Sequence, residues 1–143
     1  NRSPAHIISG DAFIMGFLNI FKSRKTVLVV DDNQDVVQLL SIALDSAGFK
    51  VFVAGDAKSG LEMLSKNNVE LIISDINMPG MNGIEFLQAV RRLPEYKTKP
   101  AVLISGYYPP SELEKLKTKL KNIFVFQKPL DIPSFVKTVK DAV

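Results

Sequence analysis

Thr26-Val27-Leu28-Val29-Val30-Asp31-Asp32 is an apolar run closed by two carboxylates, and Glu70-Leu71-Ile72-Ile73-Ser74-Asp75 is a second run closed by one. Short apolar runs rich in β-branched residues read as buried strands. If the two are parallel strands of one sheet, Asp31, Asp32 and Asp75 converge at its C-terminal edge, where open α/β sheets place their ligands. Two carboxylates about 4 Å apart repel by roughly 4 kcal/mol at an effective dielectric near 20. A cation belongs among them, and oxygen donors with room for water and phosphate oxygens suit Mg²⁺.

Outward from these runs the same texture repeats. Strand-like segments at about 50–54, 101–104 and 123–126 join those at 26–30 and 70–74. Between them lie helix-period segments. Val36, Val37, Leu40, Ala43, Leu44 and Ala47 share one face, with Gly48 as a stop. Leu61 and Leu64 mark a second helix, entered near Asp56 or Ala57, and Ile84, Phe86, Leu87 and Val90 a third, opened by Asn82-Gly83. Leu113, Leu116 and Leu120 mark a fourth with Ser111 as its expected cap, and Phe135, Val136 and Val139 a fifth with Asp131 as its cap. Strict alternation of five strands and five helices predicts an α/β fold, a flavodoxin-like doubly wound parallel sheet of strand order 2-1-3-4-5. Right-handed crossovers then set the first and third strands side by side.

Two other strands end in polar groups. Lys128, in Phe126-Gln127-Lys128-Pro129, can bring an ammonium to the same edge, and Ser105, after Ala101-Val102-Leu103-Ile104, can bring a hydroxyl. Both suit an anion held at the metal, most simply a phosphoryl group.

Composition bounds the alternatives. The chain has 143 residues, 46% of them hydrophobic and 23% charged, which fits one globular domain. Without cysteine there are no disulfides and no thiolate metal sites, as is compatible with a cytoplasmic protein. A net charge of +3, with no basic block interleaved with aromatics, argues against direct nucleic-acid binding. No stretch reaches the roughly 18 apolar residues of a membrane span. Ala12 to Phe21 is short and is followed, not preceded, by Lys22, Arg24 and Lys25, the reverse of a signal peptide. Residues 1–24 therefore read as an extension, with two readings open. Met15 begins a native chain behind a tag, linker or upstream segment, or Ile14, Phe17, Leu18 and Phe21 form an apolar helical stripe for a protein surface. Membrane-surface attachment is the less favoured role for that stripe.

Val29-Val30-Asp31-Asp32-Asn33, Asp75-Ile76-Asn77-Met78-Pro79-Gly80-Met81-Asn82-Gly83, Ser105-Gly106 and Lys128-Pro129 stand in order at strand ends, and together they resemble the receiver domain of two-component response regulators. The resemblance covers residues 25–143. It implies that Asp75 accepts a phosphoryl group from a histidine kinase or histidine phosphotransfer protein, as an aspartyl phosphate. Asp32 then ligates Mg²⁺ directly, Asp31 through water and Asn77 through its backbone carbonyl. Lys128 holds a phosphoryl oxygen and Ser105 moves toward the group. Asn77 and Tyr107 tune how long the phosphate survives. Such a module is a signalling switch rather than a turnover enzyme, although it catalyses its own phosphorylation and autodephosphorylation. Fourth helix, fifth strand and fifth helix form the expected face for a homodimer or an output partner. One departure stands out: the family's switch aromatic, three residues before the lysine, is Val125 here, flanked by Phe124 and Phe126. Tyr107 or Tyr108 is the candidate substitute.

Simpler readings exist for each residue. Asp31 or Asp32 could cap the helix that begins near Gln34, Pro79-Gly80 and Asn82-Gly83 read as turn chemistry, and Lys128 alone would be a solvated charge. Lys115, Lys117, Lys119 and Lys121 form two i, i+4 pairs along a solvated helix face. His6, the single histidine, lies outside the domain. A haloacid-dehalogenase-like phosphatase also uses a strand-end aspartate and Mg²⁺, but it wants a second aspartate two residues on, where Asn33 and Gln34 stand. A receiver-like interaction module that works without phosphorylation is the remaining alternative. It would need no intact set of Asp31, Asp32, Asp75, Ser105 and Lys128.

Overall fold

The computed structural model describes residues 24–143 together with Gly10, Asp11, Phe13 and Ile14. Strands β1 (Thr26–Val30), β2 (Lys50–Ala54), β3 (Leu71–Asp75), β4 (Ala101–Ser105) and β5 (Ile123–Gln127) alternate with five helices. These are α1 (Gln34–Ser46), α2 (Ala57–Lys66), α3 (Gly83–Arg91), α4 (Pro110–Leu120) and α5 (Ile132–Ala142). The sheet is parallel throughout, in the order β2-β1-β3-β4-β5. Three strands run one residue further than expected at their C-terminal ends, so Asp75, Ser105 and Gln127 are strand residues.

Alternation along the strands splits the core into two layers, as the period of two requires. Leu28, Val30, Ile72, Ala101, Leu103 and Ile123 pack with Leu64 of α2, Phe86, Leu87 and Val90 of α3, and Leu116 and Leu120 of α4. Val27, Val29, Leu71, Ile73, Val102 and Ile104 pack with Leu40 and Leu44 of α1 and Phe135 and Val139 of α5. Phe135 is fully buried and meets Phe126 edge-to-face, with ring centroids 5.6 Å apart. β3 and β4 are buried at all ten positions, which is why their sequences read as unbroken apolar runs.

Helix ends correct several expectations. α4 begins at Pro110 behind Pro109, so Ser111 lies inside the first turn and caps nothing. Proline at the first position has no N–H that needs a cap. Asp131 holds the cap position of α5 but its side chain accepts no hydrogen bond, because Pro133 removes one of the N–H groups a cap serves. α1 is capped by Asn33, whose Oδ1 accepts from Asp35 N at 3.0 Å and Val36 N at 3.3 Å. Asp31 and Asp32 are thereby released from the capping duty that was the simplest account of them. α4 ends at Leu120, so Lys121 is outside the helix, in left-handed backbone with φ 53°. His6 and the Phe17, Leu18 and Phe21 positions of the apolar stripe lie outside the described residues.

Candidate functional site

Asp31 follows β1 directly and its N–H donates to Ala54 O at 3.1 Å, which extends the ladder by one step and fixes its backbone. Val30 pairs with Ser74 in the neighbouring strand, so the residues that follow, Asp31 and Asp75, come side by side. Asp31, Asp32 and Asp75 each offer a carboxylate oxygen, all within 4.8 Å of one another. Asp31 and Asp75 are buried, at 3% and 4% exposure, and Asp32 is exposed.

The fourth charge arrives from β5. Lys128 N–H donates to Ser105 O at 2.8 Å, continuing the β4–β5 ladder past the last paired residues. The Lys128-Pro129 peptide is cis. From there the ammonium lies 3.3 Å from Asp75 Oδ1. That distance makes an ion pair, yet Asp75 Oδ1 has no partner in hydrogen-bond geometry. Asp31 Oδ1 accepts from Asn33 N at 2.9 Å, while Asp31 Oδ2 and the fully buried Ser105 Oγ have no partner among the described residues.

Buried orphan oxygens are costly and uncommon, and they cluster where a ligand completes the site. Burial pushes the Asp75 carboxyl above its usual value, with Lys128 opposing the rise and Asp32 adding to it. Burial also raises Asp31, the Asn33 N–H opposes that rise, and the charge of Asp75 adds to it. Three carboxylates against one ammonium leave a net negative cluster of hard oxygen donors, and this donor set fits Mg²⁺.

Asn77 lies exposed in the loop after β3. There the Ile76 carbonyl accepts from Met78 N at 3.2 Å and Gly83 N at 2.9 Å, and no backbone donor among the described residues takes the Asn77 carbonyl. Tyr107 is 72% exposed. Tyr108 and Val125, by contrast, are half-buried against the core layer of α2, α3 and α4. Phe126 packs with the opposite layer, against α1 and α5. The position of the missing aromatic therefore faces Tyr108's side of the sheet.

Gly83 carries more than the turn role the sequence suggested. A Cβ at this position would stand 2.1 Å from the Asp75 carbonyl oxygen and 2.8 Å from Ile76 Cα. The start of α3 is thus pressed onto the backbone of Asp75, and only glycine permits the approach. Asn82 and Glu85 close a reciprocal capping box there, at 2.9 and 3.0 Å. The sequence marked Asn82-Gly83 as turn chemistry opening the third helix; the capping box with Glu85 and the contact with Asp75 are seen only in the structure. Beside Asp31 and Asp32 opens a cleft of about 550 Å³, lined also by Gln34, Val37, Gln38, Val53 and Asp56.

The model of the response regulator receiver domain matches residues 27–140. Among curated relatives, the CAI-1 autoinducer sensor kinase/phosphatase CqsS of Vibrio cholerae is 34% identical over 113 residues, 77% of this chain and 16% of that protein. A probable chemotaxis protein CheY of Rhizobium etli is 44% identical over 81 residues, 56% of this chain and 63% of that protein. The chain thus spans less than two thirds of the length of these relatives. Among solved structures, the chemotaxis protein CheY4 of Vibrio cholerae superposes with a TM-score of 0.79 at 31% identity, covering 85% of this chain and all of that one. A putative response regulator from Chloroflexus aurantiacus gives 0.76 at 27% identity, over 84% of this chain and 98% of that one. By fold, strand-end residues and family match together, this chain belongs to the response regulator receiver domains of two-component signalling.

Proposed function

We propose that residues 25–143 form a phospho-accepting receiver, in which Asp75 takes a phosphoryl group from a phosphohistidine of a histidine kinase or phosphotransfer protein. The observation that carries this is the buried Asp75 carboxylate, 3.3 Å from the Lys128 ammonium and within 4.8 Å of the Asp31 and Asp32 oxygens.

An Asp75 carboxylate oxygen attacks phosphorus in line, the P–N bond of a phosphohistidine protonated on its other ring nitrogen breaks, and the ring leaves with the bonding pair as neutral imidazole. Little covalent work falls to the protein, so positioning and neutralisation of charge are what it supplies. Lys128 neutralises one phosphoryl oxygen and keeps Asp75 ionised, hence nucleophilic, against the burial that raises it. Asp31, Asp32, Asp75 and the Asn77 carbonyl would hold Mg²⁺, which when bound offsets the charge of the carboxylates and of the incoming phosphoryl group. The Ser105 hydroxyl, buried and without a partner, is the group free to turn toward a phosphoryl oxygen. Gly83 keeps the Asp75 backbone in place. The cleft beside Asp31 and Asp32, with Val37 and the exposed Val53 in its lining, offers apolar surface to the donor protein.

With Val125 at the usual aromatic position, Tyr108 is the aromatic that follows the β4–α4 loop when Ser105 moves. It lines a cleft of about 260 Å³ between α3 and α4, with Ile84, Gln88 and Leu116. Output contacts, including a homodimer, would use α4, β5 and α5, and the module would act in the cytoplasm. No helix among the described residues is long and apolar enough to cross a membrane.

The test is intact-mass spectrometry after incubation with acetyl phosphate and Mg²⁺. A single phosphoryl adduct, lost with a chelator and in Asp75→Asn, is the expected result. If Asp75→Asn acquires the same adduct, the assignment of the nucleophile fails. No adduct together with no Mg²⁺ binding would instead favour an interaction module independent of phosphorylation.

A further inference from the structure

At the opposite end of the sheet, where β4 and β5 begin, a groove of about 410 Å³ is lined by Arg91, Lys97, Thr98, Lys119, Leu120, Lys121 and Asn122. Four of these carry positive charge and none is acidic. The strands are five residues long, which sets the groove roughly 16 Å from the carboxylate cluster.

Arg91 is the base of the groove. Its guanidinium is half-buried and donates only to backbone carbonyls: Tyr96 O at 2.9 Å, Lys99 O at 2.6 Å, Leu120 O at 3.1 Å, Lys121 O at 3.0 Å and Asn122 O at 3.4 Å. These bonds hold the α4–β5 turn, but carbonyl dipoles leave the full unit of charge without a counter-ion. Burial correspondingly lowers the affinity of Arg91 for its proton.

A row of lysines on a helix is ordinarily a solvated face, and two here behave so. Lys115 and Lys117 pair with Glu112 and Glu114 on α4 at 3.8 and 4.0 Å, and nearby Lys99 pairs with Glu70 at 3.2 Å. Lys97, Lys119 and Lys121 have no such pairing among the described residues, and all three border the groove. Lys121 and Asn122 also sit at φ 53° and 48°, a backbone region that non-glycine residues seldom occupy. Strain of this kind tends to collect at ligand clamps and switch regions. In this turn it places Lys121 outside the helix, on the groove wall.

We propose that this groove binds a compact polyanion of the di- or triphosphate class, free or attached to a nucleoside. Ammonium groups are point charges suited to phosphate oxygens, and several of them around a volume of this size call for a ligand that concentrates negative charge. Arg91 has its donors engaged and acts through its field. Lys97, Lys119 and Lys121 make the contacts.

The experiment is isothermal titration of the full chain, without divalent cations and at low salt, with inorganic triphosphate and in parallel with a nucleoside triphosphate. Chelation and an Asp75→Asn background keep the carboxylate cluster out of the measurement, so failure here leaves the phosphoacceptor reading untouched. One site is expected, weakened about tenfold by Lys119→Gln with Lys121→Gln. Lys115→Gln with Lys117→Gln removes the same net charge and leaves affinity nearly unchanged. Equal binding of both ligands assigns recognition to the phosphates alone, and tighter nucleoside binding adds the Leu120 wall. Absence of binding, or equal weakening by the two double variants, overturns the proposal. Unchanged far-UV circular dichroism melts confirm that the variants are folded.

Discussion

Replacing Asp75 by Asn should stabilise the metal-free domain, although it removes the central residue of the site. Oxygens of Asp31 and Asp32 lie within 4.8 Å of one on Asp75, and at an effective dielectric near 20 each contributes about 3.5 kcal/mol of repulsion. Attraction to Lys128 at 3.3 Å returns about 5 kcal/mol on the same scale. Repulsion exceeds attraction by about 2 kcal/mol, and water around Asp32 and the 37%-exposed Lys128 side chain screens both, leaving roughly 1–2 kcal/mol. For a domain of this size that raises the melting temperature by roughly 3–8 °C. The assay is thermal unfolding by far-UV circular dichroism at pH 7 with a chelator. Because the folded-state pKa of Asp75 is raised, folding takes up protons. The penalty is therefore full above the folded-state pKa, fades as the pH falls through it, and is gone below the unfolded carboxylate value of about 4. The gap between wild type and variant closes in that direction. Mg²⁺ at 100 times its dissociation constant would add about 2.7 kcal/mol to the wild type and less to the variant, which has lost a charged ligand, so the order of melting reverses. A variant that melts below the wild type in chelator, or a gap that does not narrow with acid, would refute the electrostatic account.

Other perturbations follow from packing. Gly83→Ala sets a methyl group 2.1 Å from the Asp75 carbonyl, so urea unfolding should show a loss of about 3 kcal/mol or more, and acetyl phosphate labelling should fall with it. Phe135→Ala empties a fully buried site beside Phe126 and should cost about 3–5 kcal/mol in the same assay, with Mg²⁺ affinity unchanged in the protein that remains folded. Tyr108→Ala should leave Mg²⁺-dependent labelling of Asp75 intact while abolishing the phosphorylation-induced NMR shifts of α4 residues, whereas Tyr107→Ala, at an exposed position, should preserve them.

The sequence alone determined the order of elements and the meeting of the acidic residues. Short apolar runs, four of the five ending at a polar group and all separated by helix-period segments, admit few arrangements once crossovers are right-handed. Asp31, Asp32 and Asp75 were legible because strand ends are marked by an abrupt change from apolar to charged, and Lys128 because it ends a run in the same way. The ends of α4 and α5 were read less well. Ser111 and Asp131 have capping chemistry, but α4 already starts at Pro110, before Ser111, and Pro133 removes one of the donors an Asp131 cap would serve, so local propensity was overruled by neighbouring prolines. Three features belong to tertiary structure alone. Gly83 looks like any turn glycine until α3 is laid against the carbonyl of Asp75. Arg91 looks like a surface charge at a helix end until the α4–β5 turn, some thirty residues later, presents its carbonyls. Tyr108 acquires its place from the side of the sheet that Val125 faces. Periodicity reports which side of an element is buried, and strand endings report where chemistry gathers. Which atoms then touch depends on close approaches between segments distant in the chain, and those are set by packing.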